Sequence, residues 1–61
     1  MRFRVQEYGV TSYWPTSMTK VEEVVSHIMG RNGCGNVQQR VEDGTWKLTH
    51  RFEPAYGLVA A

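Results

Sequence analysis

A single cysteine, Cys34, excludes any disulfide within the chain. No Cys-x-x-Cys or His-x-x-x-His pair accompanies it, so neither a zinc site nor any other metal or cofactor is expected. Long hydrophobic runs are also missing. Nothing approaches the roughly 20 consecutive apolar residues that span a bilayer, and the chain opens directly on a strand pattern without an apolar signal core. These absences predict a cytoplasmic protein, made in a cell or delivered into one, with no membrane partner. Charge is nearly balanced, at a formal net of +1, which announces neither a nucleic-acid binder nor an acidic mimic of DNA. With no internal repeat, low-complexity tract or linker, residues 1–61 read as a single small domain.

A chain of 61 residues lies near the lower limit for independent folding, since it buries only about 60% of the surface its unfolded form exposes. Without a disulfide or metal to help, partner binding or a homodimer gains weight.

Residues 2–8 alternate, with Phe3 and Val5 on one side and Arg2, Arg4 and Gln6 on the other, as in a half-buried strand. The segment 10–18 reads as a loop whose Tyr13 and Trp14 cover one end of the core, because Pro15 discourages a helical conformation before it. Thr19 and Glu22 fit a capping box, and Glu22 and Glu23 then sit at the positive end of a helix dipole. Val21, Val24, Val25, Ile28 and Met29 make one apolar stripe behind that cap. From Val37 the period returns to two. Asp43-Gly44 predicts a two-residue type I′ turn that sets Val41 opposite Trp46, Gln39 opposite Leu48 and Val37 opposite His50. Val37, Val41, Trp46, Leu48 and Phe52 would then face the helix. The fold expected is α+β: one α-helix on a three-stranded, mainly antiparallel sheet of order β-α-β-β. Strand 45–52 is placed in its centre and strand 2–8 at one edge beside it. Residues 54–61 read as an apolar tail whose Tyr56, Leu58 and Val59 either fold onto the core or reach a second subunit or target.

The stretch Gly30-Arg31-Asn32-Gly33-Cys34-Gly35-Asn36 looks at first like a phosphate loop. Such loops need glycines ahead of a helix, and here they follow one and lead into a strand. The better reading is a helix C-cap with positive φ at Gly30 or Gly33, then a turn. His27 and His50 are the only bases available to Cys34, and neither is paired with it by spacing. The chain is therefore not expected to be an enzyme.

A stronger constellation emerges once the sheet is assembled. Arg2, Arg4, Arg40, Lys47 and Arg51 all have outward parity, interleaved with Gln6, Gln38 and Thr49, while Glu22 and Glu23 mark the helix side. Such a face attracts phosphate backbones or acidic protein surfaces, and Tyr8 or Tyr13 would supply an aromatic anchor. A solvated face whose basic residues discourage edge aggregation has the same pattern.

Across residues 2–53 this layout, with its helix "TSMTKVEEVV" and hairpin "RVEDGTWKLTHRF", resembles small phage-encoded proteins that inhibit host machinery, anti-CRISPR proteins and RNA-polymerase inhibitors among them. The resemblance implies a non-enzymatic inhibitor that binds a bacterial host or defence complex, a protein or a nucleoprotein, where that target holds nucleic acid. Direct binding of DNA or RNA by the same basic face is the alternative.

Overall fold

The computed structural model describes residues 2–61. Its elements are β1 (Phe3–Glu7), β2 (Thr11–Tyr13), α1 (Met18–Gly30), β3 (Gly35–Arg40), β4 (Trp46–Glu53) and β5 (Gly57–Ala60). The strands form one antiparallel sheet in the order β2-β1-β3-β4-β5. The α+β class is as expected, but the sheet has five strands rather than three. Both additions come from segments read as irregular. Gly9, at φ 75°, reverses the chain so that residues 11–13 pair back on β1. A turn closed by the Tyr56 N–H on the Glu53 carbonyl folds the apolar tail onto β4 as β5. Of the expected loop aromatics, Tyr13 packs against the core and Trp14 remains half exposed.

The centre of the sheet is β3, not β4. β1 pairs with β3 along its whole length, from Phe3 opposite Gln39 to Glu7 opposite Gly35. Gly35 makes this approach possible: a Cβ there would lie 1.8 Å from the Gln6 carbonyl oxygen and 3.0 Å from the Phe52 ring. The other edge of β4 is taken by its own hairpin partner, a local closure that costs less chain entropy than pairing with distant β1.

The helix begins earlier than Thr19. Ser17, in an extended conformation, is the N-cap and accepts the Lys20 N–H at 3.3 Å, so Thr19 lies within the first turn and forms no capping box. Buried Pro15 stops the helix from extending further back. Glu22 and Glu23 consequently fall beyond the first turn, where the helix dipole favours them less. At the other end, the Asn32 N–H donates to the Met29 carbonyl and the Gly33 N–H to that of Ile28, each at 2.9 Å, which is a Schellman motif. The left-handed residue is Asn32 (φ 67°), neither Gly30 nor Gly33. Asparagine tolerates that region, and Gly33 is needed for space, since a Cβ would sit 2.6 Å from the Ile28 side chain. Val21, Val25 and Ile28 then bury against Val5, Val37 and Phe52.

The β3–β4 hairpin departs most from expectation. Its connection has three residues, Glu42 to Gly44, with the Gly44 N–H donating to the Val41 carbonyl and the Val41 N–H to that of Thr45. Only Gly44 has positive φ (87°); Asp43 instead accepts from the Thr45 N–H (3.0 Å) and hydroxyl (2.7 Å). This shifts the register by one, so that Arg40 rather than Val41 stands opposite Trp46 and Gln38 rather than Gln39 opposite Leu48. A bulge between Val37 and Gln38, with Thr49 as the extra residue on β4, restores Val37 opposite His50. The Thr49 hydroxyl donates to the Val37 carbonyl at 3.2 Å across the bulge. Trp46 and Leu48 therefore lie on the face away from the helix, contrary to the alternation pattern.

Gly35→Ala is expected to abolish the cooperative thermal transition, because the clash is with backbone. Gly30→Ala, which meets nothing within 4 Å, should be neutral or stabilising by about 0.5 kcal/mol; a folded Gly35→Ala protein would contradict the close β1–β3 approach. The two Thr45 hydrogen bonds hold the Asp43 carboxyl below its ordinary value of 3.8. They thus support the turn above that value, and the support is lost as pH falls through the lowered one. An NMR titration should place the Asp43 midpoint below 3.8, and Thr45→Val should move it upward.

Candidate partner-binding face

The sheet has one face covered by α1 and one open. Cross-strand partners share a face, so the ladder assigns each side chain. On the open face, Arg2 and Arg40 stand beside Trp46, Arg4 and Gln38 beside Leu48, and Gln6 and Asn36 beside Arg51 and Val59. Tyr8, opposite Cys34, continues the β1 parity at the far end. The other face carries Phe3, Val5, Glu7, Val37, Phe52 and Leu58.

Of the residues expected to form a basic surface, Arg2, Arg4, Arg40 and Arg51 share the open face, and Tyr8 lies there with them. Lys47, opposite Gln39, is on the helix side, because the three-residue turn shifts its end of β4 by one register position. Thr49 occupies the bulge. Tyr13, opposite Val5, is also on the helix side, where its hydroxyl donates to Glu7 at 3.1 Å and accepts from Arg31 at 3.1 Å.

The arginines are held rather than merely exposed. Arg4 lies over the Trp46 ring with its guanidinium carbon 4.7 Å from the centroid, and Arg40 approaches the same ring at 5.8 Å. The Arg4 Nε donates to Gln38 at 2.9 Å. Gln38 in turn donates to Asn36 (2.9 Å) and Gln6 (3.2 Å), and Asn36 to the Tyr8 hydroxyl (3.1 Å). This chain of amides joins the arginine end of the face to the tyrosine end. Asn36 is buried within it although it is polar, and among the described residues no buried side-chain nitrogen or oxygen lacks a partner. A fully connected network of this kind fixes side-chain geometry.

At the tyrosine end, Tyr8, Cys34, Arg51, Tyr56 and Val59 line a cleft of about 480 Å³ that Gly35 and Phe52 also border. Cys34 is partly buried there and free. His27 is exposed on α1, and the His50 Nδ1 lies 3.0 Å from the Thr49 hydroxyl. Among the described residues, no three His, Cys, Asp or Glu side chains are grouped to hold a metal ion, and no helix is long and apolar enough to cross a membrane.

Two features escaped the sequence reading. Glu7 shares the parity of Phe3 and Val5, which already put a carboxylate on the core side. It is buried and ion-paired to Arg31, which also donates to the Tyr13 hydroxyl. Hydrogen bonding to Glu7, then to Tyr13, raises the Arg31 pKa above its ordinary value. The Arg4–Trp46–Arg40 stack had no local signal, because the pattern places Trp46 on the opposite face.

No protein-family model, curated protein or solved structure matches the chain. The geometry of the open face is what a function has to be read from.

In a double-mutant cycle by urea unfolding, Arg4→Ala and Trp46→Ala should couple by about 0.5–1 kcal/mol. A coupling of zero would mean that the stack contributes nothing in solution.

Proposed function

We propose that this chain is a non-catalytic binding protein that docks the open face of its sheet onto an acidic surface of a protein or nucleoprotein complex. The observation that carries this reading is the stacking of Arg4 and Arg40 on Trp46, with Arg4 fixed by Gln38 and Arg2 paired beside Arg40 on the same face. Tryptophan, tyrosine and arginine dominate the energetics of protein interfaces. A guanidinium held in place before binding loses less entropy when it meets a carboxylate. Stoichiometric inhibition of a bacterial host or defence complex, in the cytoplasm where that complex works, is the form that the resemblance to phage-encoded inhibitors suggests.

Direct binding of DNA or RNA is the second reading. Half-exposed Tyr8 and Arg51, both on the cleft, favour it, since an aromatic platform beside a cation suits single-stranded nucleic acid. Against it, Trp46 already has Arg4 over its ring, the amides bond one another, and the net charge is only +1.

Lys47 supplies an internal control, because Lys47→Glu and Arg40→Glu change the charge equally on opposite faces. In pull-downs from bacterial lysate, the wild type and Lys47→Glu should retain the same protein, and Arg40→Glu should weaken its capture about tenfold or more. Equal capture by all three would remove the open face from the interaction. Binding to naked DNA or RNA that weakens steeply with salt would favour the second reading.

A further inference from the structure

We infer that the protein forms a two-fold homodimer by antiparallel pairing of β5 with β5 of a second copy, which joins two sheets into one and sets their open faces side by side. The inference is independent of what the open face binds.

The two edges of the sheet differ. β2 has three residues and is followed by Trp14 and Pro15, and a proline beside a short strand is a usual protection against pairing. β5, Gly57–Ala60, carries no charge, proline or bulge. Its hydrogen-bonding phase follows from the Ala61 N–H, which donates to the Thr49 carbonyl at 3.0 Å. Bonding alternates along an antiparallel strand. Gly57 and Val59 therefore turn their polar backbone groups toward β4, and Leu58 and Ala60 turn theirs outward.

These outward groups match themselves. If a two-fold axis perpendicular to the sheet passes between two Val59 residues, Leu58 of each copy stands opposite Ala60 of the other. Each such pair exchanges both of its hydrogen bonds. Leu58 shares the helix side with Phe52, and Val59 the open side with Arg51, so this register keeps both helices on one side of the joined sheet. The two Val59 side chains, each about half exposed, would meet directly across the axis on the open side.

A foreign extended peptide fits the edge less well. Peptide-binding edges gain selectivity from a series of pockets for alternate side chains; here one cleft adjoins β5, lined by Tyr56, Gly57 and Val59, whereas a second copy is matched by the backbone register alone. A second copy brings its own neutral, apolar side chains to the join. Among the described residues, six buried hydrophobic side chains make a small core, which gives an oligomer more to contribute than it would in a larger domain.

Analytical ultracentrifugation of the purified chain across micromolar to millimolar concentration should show a species of twice 7.0 kDa. Val59→Lys should shift it to the monomer, because like charges would oppose each other across the axis. An equal mixture of Val59→Lys and Val59→Glu should recover the dimer. Ala60→Pro, which removes an outward N–H only, should be monomeric with an unchanged circular dichroism spectrum. A wild type that stays at 7.0 kDa throughout, a dimer that survives Val59→Lys, or a mixture that remains monomeric would each overturn the pairing. Because the readout is mass, its failure is distinct from failure of partner capture.

Discussion

Between the pairs Val37–His50 and Gln38–Leu48, β4 carries one residue more than β3, and the division of side chains between the two faces depends on this extra residue, Thr49. On the His50 side of the bulge, Phe52 turns to the helix. On the Trp46 side, the three-residue turn has already displaced the register, so that Trp46 and Leu48 turn to the open face. Side-chain alternation has a period of two, so a shift of one residue moves a whole segment across the sheet. The bulge thus separates the apolar residues of a single strand into core residues and surface residues. It leaves Trp46 where Arg4 and Arg40 can stack on it.

The core that remains on the helix side is narrow. Val5, Val37 and Phe52 meet Val21, Val25 and Ile28, and Gly35 provides the room that lets β1, β3 and the Phe52 ring approach one another. One corner is closed by charge rather than by carbon. Glu7 is buried between the end of β1 and the helix C-terminus, where Arg31 and Tyr13 satisfy it. Removal of one partner from such a group leaves an unpaired buried charge, which costs more than the intact pair contributes. That corner therefore fixes how the Schellman turn, β1 and β2 meet. The glycines that suggest a nucleotide loop are explained by the same packing. Gly33 and Gly35 give space, and the left-handed turn itself falls to Asn32.

A protein whose charges nearly cancel can still be strongly polarised. Glu22 and Glu23 are exposed on the helix, while four arginines lie on the far side of the sheet. The amide network of Gln38, Asn36 and Gln6 connects Arg4 to Tyr8 and the cleft. Binding through Arg4, Arg40 and Tyr8 would need little rearrangement, because these side chains are already held by the amides and by Trp46.

The amino-acid sequence alone carries what depends on local periodicity and local chemistry. It specified the helix with its stripe of Val21, Val24, Val25, Ile28 and Met29, strands at 2–8 and 45–52 that are observed as Phe3–Glu7 and Trp46–Glu53, the reversal after the helix, and outward parity for Arg2, Arg4, Arg40 and Arg51. These follow from side-chain spacing along one segment and hold wherever no bulge interrupts the alternation. Tertiary structure decided what depends on how segments meet: the central place of β3, the pairing of β2 and β5, the choice of Ser17 over Thr19 as cap, and the faces taken by Trp46, Leu48 and Lys47. Ser17 and Thr19 are both competent caps, and Pro15 packed into the domain favours the earlier start. A hairpin closed by Asp43-Gly44 can have two residues or three, and a bulge can fall at any position along it. Val37 and Phe52 lie together beneath the helix in either arrangement, so a three-residue turn requires the compensating bulge at Thr49.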